Sequence, residues 1–203
     1  MTLAMLPVGL IAVYQTQAVI ENAQDRHRAS LVSQLRAEAA QETELIENAL
    51  AAARGLAVLV ARLGEDSCPD ILRGFVEGNA DFIFAGFVRS SGQLVCSSTG
   101  DALDLSDRRA FLSAMAQGGT SVQVNPAAAV TGRDVVLVTQ PVLRGDESLG
   151  LVALSIPQAA VMNRLSGNVP QEGMRLAIVD GSGALLAAST GLEAAAEFLP
   201  RDM

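Results

Sequence analysis

The spacing of hydrophobic and polar residues divides the chain into three stretches. Residues 3–14 are uncharged and largely apolar, and residues 15–63 contain no proline and are dominated by Ala, Glu, Gln, Arg and Leu. Beyond residue 64 the pattern changes to short apolar runs separated by turn residues, which is typical of strands. In the second half of the long middle stretch, apolar residues recur at the spacing of one helix face: Leu45, Ile46, Ala49, Leu50, Ala53, Leu56, Ala57, Val60 and Leu63.

The first stretch predicts a membrane-associated segment. Its apolar run is shorter than the roughly 20 residues that a spanning helix needs. It also lacks the basic start and small-residue cleavage site of a secretory signal. We therefore interpret residues 1–20 as the end of a transmembrane helix that begins outside this chain. A buried helix of a soluble protein is the alternative interpretation.

Residues 21–63 are predicted to form a long stalk or signalling helix. Few apolar residues occur between Glu21 and Glu44. This half would stand away from the globular part, or pair with a second copy as a loose coiled coil. The periodic half would pack on the globular segment that follows, and Gly64 would end the helix.

Residues 64–166 are predicted to form one α+β domain. Its elements, in order, favour a five-stranded antiparallel sheet with helices on one face, on which the long N-terminal helix packs. The predicted helices are Asp70–Gly78, a segment within Asp104–Ala116 with Ser106 as its N-cap, and Gln158–Ser166. The predicted strands are Phe82–Arg89, Gln93–Ser97, Thr120–Asn125, Asp134–Val142 and Ser148–Ile156.

A second hairpin follows, and it is similar in sequence to the first one. The stretch FVRSSGQLVCSS, which starts at Phe87, is matched by IVDGSGALLAAS, which starts at Ile178. We interpret residues 167–203 as the start of a second, truncated unit of the same kind. The alternative is that this hairpin completes the first sheet.

Composition excludes some classes of function. The 203 residues carry 22 acidic and 14 basic side chains, a net charge of −8, which disfavours nucleic-acid binding. His27, the only histidine, lies in the polar part of the long helix, so neither a histidine metal site nor a catalytic triad is expected. Nucleotide-binding and hydrolase motifs are also missing. We therefore predict no enzymatic activity, cofactor or metal within this chain.

Two features carry candidate chemistry. Cys68 and Cys96 fit either one disulfide in an oxidising compartment or two buried thiols. Arg108 and Arg109 follow Asp107 at a predicted helix start, where guanidinium groups and helix amides together attract anions. A small carboxylate is the natural occupant, since arginine can hold it through two hydrogen bonds. The alternative for Arg108 is a surface ion pair with a neighbouring aspartate.

The order of elements and several motifs resemble the Cache family of extracytoplasmic, PAS-like sensor domains. The matching motifs are FAGFVRSSGQLVCSS, DLSDRRAFLSAM, TGRDVVLVTQPV and SLGLVALSIP. The string Asp107-Arg108…Phe111 resembles the family's D-R-x-Y-F pattern. This chain departs from the pattern at two positions: it has Arg109 where the family often has Pro, and Ala110 where the family has Tyr. The resemblance implies a ligand site containing Arg108, Phe111, Asp107 and Arg109.

One departure from the family bears on the ligand. In the amino-acid-binding branch, a carboxylate three residues before a Thr-Gly pair holds the ligand ammonium. The corresponding residue here is Ala128, before Thr131-Gly132. The resemblance therefore implies a ligand other than an amino acid.

These observations predict the sensing region of a bacterial receptor. It would lie in the periplasm after about residue 20, be anchored in the inner membrane, form a homodimer, and signal through the long helix on binding a small anionic metabolite. A histidine kinase of a two-component system, or a diguanylate cyclase, would follow residue 203. The alternative is an anchored structural or interaction module that responds to a partner protein or to redox state.

Overall fold

Short strands, of which the central ones are buried on both faces, build the main antiparallel sheet in this computed structural model, which describes residues 44–167, 175–180, 183–191 and 194–195. The helices are α1 (residues 44–63), α2 (Cys68–Gly78), α3 (Arg109–Gln117) and α4 (Gln158–Gly167). The strands of the main sheet are β1 (Phe84–Arg89), β2 (Gln93–Ser97), β3 (Leu103–Asp104), β4 (Ser121–Asn125), β5 (Val135–Arg144) and β6 (Glu147–Pro157). Their order across the sheet is β3-β2-β1-β6-β5-β4.

The α+β prediction is confirmed, with two corrections. The sheet has a sixth strand, β3, which is only two residues long and pairs with β2 at the edge. Such a short strand has no alternation of its own, so the sequence pattern does not indicate it. The helices are not confined to one face, because α3 contributes to a cavity on the face opposite to α1.

The helical face of the sheet holds the main core. Every second residue of the central strands, including Phe87, Val138 and Leu154, packs there against α1, α2 and α4. The predicted stripe of α1 is buried in this core or packed against it from Leu45 to Val60. Leu63, at the end of α1, is instead 54% exposed, so the buried stripe ends at Val60.

An ion pair ties the connection after α1 to the sheet. Arg89, the last residue of β1, donates two hydrogen bonds to the carboxylate of Glu65, one of them from Nε to Oε1 at 2.7 Å. These bonds hold the pKa of Glu65 below its usual range. The pair is partly exposed, so its main effect is to fix the loop rather than to stabilise the fold strongly.

The second hairpin does not complete the main sheet. Its strands, β7 (Ala177–Val179) and β8 (Leu185–Ala188), form a separate two-stranded sheet. Gln158, the first residue of α4, donates from Nε2 to the carbonyl of Leu186 at 2.8 Å, which attaches the hairpin to the main domain. That residues 167–203 open a second sensor unit remains a prediction.

The predictions for residues 1–43 lie outside the described residues. No helix among the described residues has the length and apolar character that membrane crossing requires.

A disulfide joins Cys68, the first residue of α2, to Cys96 in β2, with a Cα–Cα distance of 6.0 Å. Both residues belong to the core on which α1 packs. The disulfide therefore fixes α2 to the sheet on the helical face.

Replacing both cysteines should lower stability. The bond closes a loop with a sequence separation of 28, and a loop of that size restricts the unfolded chain by about 3–4 kcal/mol. We expect the double variant Cys68→Ala/Cys96→Ala to lose about 3 kcal/mol or more of unfolding free energy in urea titrations. The matched control is the parent protein unfolded and reduced in urea, where the reductant reaches the bond, and then titrated in the presence of reductant; it should lose a similar amount. Equal stability with and without reductant would contradict the prediction.

The seam between β1 and β6 depends on a glycine. Gly150 pairs with Arg89 and has a φ of 145°, and a Cβ at this position would lie 2.0 Å from the carbonyl oxygen of Val88. No other residue allows the two strands to approach this closely.

Gly150→Ala should therefore destabilise the domain by about 3 kcal/mol, through backbone strain and steric overlap. Gly74→Ala is the matched control, since Gly74 lies in α2 and a Cβ added there would have nothing within 4 Å. That change should stabilise the protein by up to about 1 kcal/mol, because alanine favours the helix. Thermal and urea unfolding of both variants would show whether the free energy of unfolding falls in Gly150→Ala and rises in Gly74→Ala.

Candidate functional site

A cavity of about 380 Å³ opens on the face of the sheet opposite to α1. Its floor is formed by β1, β4, β5 and β6, one wall by the start of α3, and the other wall by the loop between β4 and β5. Such a volume lies at the lower end of the range for small-molecule sites. The lining residues are Phe84, Val88, Leu105, Arg108, Arg109, Ala110, Phe111, Ala114, Gln123, Val124, Asn125, Pro126, Ala127, Ala128, Ala129, Val130, Thr131, Leu137, Thr139, Leu151, Ala153 and Ser155.

The start of α3 forms the charged end of the cavity. Arg108 is its N-cap residue and makes no capping hydrogen bond through its side chain. The first-turn amides of a helix have no acceptor within the helix. Arg108 and Arg109 both line the cavity beside this turn. An anion entering here would meet two guanidinium groups and the positive end of a helix.

The prediction of Ser106 as the helix N-cap is wrong. The Asp104 carboxylate accepts a hydrogen bond from the Ser106 amide at 2.9 Å, which forms a turn and leaves the helix to begin at Arg109. The same interaction lowers the pKa of Asp104 below its usual range. A serine before a helical pattern also fits such a turn, so the sequence alone does not separate the two structures.

The turn between β1 and β2 positions this segment. Gly92 has a φ of 90°, and a Cβ there would lie 2.5 Å from the Ser106 backbone. The carbonyl of Gly92 accepts a hydrogen bond from the Leu105 amide at 2.8 Å. The glycine therefore lets the hairpin and the chain before α3 pack backbone against backbone.

The opposite wall is a folded loop held by its own backbone. The Ala128 amide donates to the Arg133 carbonyl at 2.9 Å, and the Gly132 amide donates to the Ala128 carbonyl at 2.7 Å. The Asp134 carboxylate accepts a hydrogen bond from the Ala127 amide at 2.9 Å, and Asp134 itself does not line the cavity. Ala128 is buried and lines the cavity.

The cavity lining is positively charged. It contains two arginines, whereas none of the described residues that line it is Asp, Glu or His. An anionic group would therefore be attracted to this site, whereas an ammonium group would find no counter-charge. The described residues also contain no cluster of ligands suited to a metal ion.

The floor carries polar groups that the sequence analysis does not identify. Thr139 and Ser121 share a hydrogen bond of 2.6 Å between their hydroxyls. Gln123 donates from Nε2 to the Ala110 carbonyl at 2.8 Å and so holds α3 over the sheet. Ser155 also lines the cavity, and its hydroxyl has no hydrogen-bonding partner among the described residues. The alternation along each strand could have indicated these residues, but only once the register between strands is known.

The predicted site residues separate into two groups. Arg108, Arg109 and Phe111 line the cavity, whereas Asp107 does not. The Asp107 carboxylate lies 3.4 Å from Nε of Arg108, in a pair whose side chains are both more than half exposed. Cys68 belongs to the core on the other face of the sheet.

Comparison with known proteins places this fold among sensory domains. Neither a protein-family profile nor a curated protein matches the chain. The ligand-binding domain of the Campylobacter jejuni chemoreceptor Tlp3, solved with L-valine, is similar with a TM-score of 0.61 and 14% identity, over 84% of this chain and 73% of that domain. The ligand-binding domain of the Pseudomonas aeruginosa PAO1 amino-acid chemoreceptor PctC, solved with GABA, is similar with a TM-score of 0.62 and 20% identity. The match covers 76% of this chain and 73% of that domain.

A third similar structure comes from another type of receptor. It is described as the extracellular domain of a histidine kinase, rpHK1S-Z16, and has a TM-score of 0.59 and 18% identity, over 72% of this chain and 64% of that domain. At these identities the likeness bears on the fold. The chain has the fold of the PAS-like, Cache-type sensory domains found in bacterial receptors.

Proposed function

We propose that this chain is the extracytoplasmic ligand-sensing region of a membrane-bound bacterial receptor, and that its cavity binds a small carboxylate. The observation that carries the proposal is the uncapped start of α3, where Arg108 and Arg109 open on a cavity with no acidic residue among the described residues that line it. The fold supports a sensory role, because the similar structures are sensory domains.

The charged end of the cavity would hold the carboxylate. A guanidinium matches a carboxylate with two parallel hydrogen bonds, and each hydrogen bond to a charged group contributes about 1.5–3 kcal/mol. The ion pair between Arg108 and Asp107 is solvent-exposed, so it competes weakly with a ligand in the less solvated cavity. The apolar lining would cover the rest of the ligand.

The ligand would lack an ammonium group. Structures of two similar domains contain L-valine and GABA, both of which carry an amino group. In the amino-acid-binding branch of the family that this chain resembles, a carboxylate three residues before a Thr-Gly pair holds that group. Ala128 lines the cavity at the corresponding position, and nothing else among the described lining residues supplies a negative charge.

The signal would pass through the sheet to the long helix. The cavity and α1 contact opposite faces of the same strands: Phe84 lines the cavity, whereas Ala85 and Phe87 pack in the core with α1. Ligand binding would favour one packing of α1 over another. In a homodimer, that shift would reach the membrane and a kinase or cyclase domain.

The redox-responsive alternative has weaker support. Its sensor would be the disulfide between Cys68 and Cys96, whose residues are 0% and 3% exposed. Thiol–disulfide exchange requires access of an attacking thiolate to a sulfur atom. Burial of both residues therefore favours a structural role for this bond.

Removing the Arg108 guanidinium should weaken carboxylate binding. We expect Arg108→Ala to raise Kd for a bound carboxylate by about 10- to 100-fold, as measured by calorimetry against a panel of short carboxylates. Arg73→Ala is the matched control, because Arg73 lies in α2 outside the cavity lining, and its Kd should equal that of the parent. Unchanged affinity in Arg108→Ala would contradict the proposal.

Introducing a negative charge at Ala128 should change the ligand class. We expect Ala128→Asp to weaken carboxylate binding by about tenfold or more through charge repulsion, and to permit binding of zwitterionic amino acids. Ala128→Asn adds a similar volume without the charge. This variant should not bind zwitterionic amino acids, and it should weaken carboxylate binding less than Ala128→Asp does. Identical binding profiles for the two variants would show that volume, rather than charge, controls this position.

A further inference from the structure

We propose that Ser155 forms a second recognition point on the cavity floor, which selects carboxylates bearing a hydroxyl or carbonyl group away from the carboxylate. This inference rests on the proposed function, because it assigns the other end of the same ligand. The arginines at the start of α3 would hold the charged end, and the Ser155 hydroxyl would form a hydrogen bond with the neutral polar group.

Ser155 is a buried polar residue without a protein partner among the described residues. It is only 2% exposed and lines the cavity, and its hydroxyl makes no hydrogen bond to any of them. A buried hydroxyl left unsatisfied costs about 1–3 kcal/mol. Buried polar side chains in folded proteins therefore nearly always have a partner, and here the partner would come from the cavity.

The neighbours of Ser155 across the sheet cannot supply that partner. Phe84 on β1 and Leu137 on β5 lie directly opposite Ser155 in the two registers, and both side chains are apolar. Ala153, the next residue of β6 on the same face, has no polar side-chain atom. The hydroxyl therefore lies in an otherwise apolar part of the floor.

The nearest hydroxyl of the adjacent strand is diagonal to Ser155. Thr139 lies two residues beyond Leu137 on β5, and diagonal neighbours across an antiparallel pair are about 7–8 Å apart. Thr139 is already hydrogen-bonded to Ser121 at 2.6 Å. A buried water usually needs about two to four polar partners, and this part of the floor offers one hydroxyl. A polar group carried by a bound ligand is the better match.

The size and charge of the cavity define the ligand further. A volume of about 380 Å³ accommodates a small metabolite with an apolar skeleton. The guanidinium of Arg108 is attached to a side chain that is 61% exposed, whereas Ser155 is almost fully buried. The carboxylate would therefore lie towards the opening and the neutral polar group towards the floor, as in a hydroxy acid or an oxo acid.

Matched pairs of carboxylates test this inference. Calorimetry on the full chain would compare butyrate with 3- and 4-hydroxybutyrate and with 4-oxobutyrate, whose polar groups lie away from the carboxylate. For the parent protein, we expect at least one substituted acid to bind about tenfold more tightly than butyrate. Ser155→Ala should remove this preference while leaving the Kd for butyrate within about twofold of the parent.

Two further variants separate recognition from structure. Ser155→Thr keeps the hydroxyl and should keep the preference for the substituted acid. Ser148→Ala removes an exposed hydroxyl from the same strand, outside the cavity lining, and should behave as the parent. The melting temperature of Ser155→Ala should equal or exceed that of the parent, because the lost hydroxyl had no partner among the described residues.

Failure of this inference differs from failure of the proposed function. Equal binding of butyrate and all substituted acids by the parent would overturn the role of Ser155 and leave carboxylate binding intact. An equal loss of affinity for every acid in Ser155→Ala would also overturn it, since that result indicates a structural role or a bound water. Absence of binding by every carboxylate would overturn both proposals.

Discussion

The pairing of β1 with β6 holds the two halves of the main sheet together. The other pairs in this sheet join strands that follow one another in sequence, whereas β1 and β6 are separated by most of the domain. Their register runs from Phe84 opposite Ser155 to Arg89 opposite Gly150, where the missing side chain admits the neighbouring backbone. The cavity spans this seam, because β1 and β6 both contribute to its floor. Folding and site formation therefore depend on the same long-range contact.

The two faces of the sheet differ in how closely their side chains pack and in their polarity. On the helical face, close-packed Val, Leu and Phe side chains bury apolar area against α1, α2 and α4, which is the main source of stability. On the other face, small and polar residues such as Ala153, Thr139 and Ser155 leave space and keep hydroxyls away from water. This face is therefore less closely packed than the helical face, and the proposed ligand would fill the space that it leaves.

Much of the fold follows from local pattern, whereas the site depends on register. The apolar stripe of α1 and the short apolar runs between turn residues predict most of the helices and strands to within a few residues, because each signal extends over several positions. The predicted beginning of α3 is wrong because Ser106 suits a turn as well as a helix cap. Arg108, Arg109 and Phe111 are neighbours in sequence, and the structure brings them to one cavity. The position of Ser155 in the cavity could not be predicted from the sequence, because it depends on how β6 pairs with β1 and β5.

The chemistry of the cavity lining has a consequence for the conditions under which the site works. Guanidinium groups remain protonated throughout the physiological range, and simple carboxylic acids are fully ionised above about pH 6. None of the described lining residues is a histidine, cysteine or acid that could change its charge between about pH 5 and 8. Occupancy of the site would thus report the concentration of its ligand alone, even in a compartment whose acidity follows the medium outside the cell.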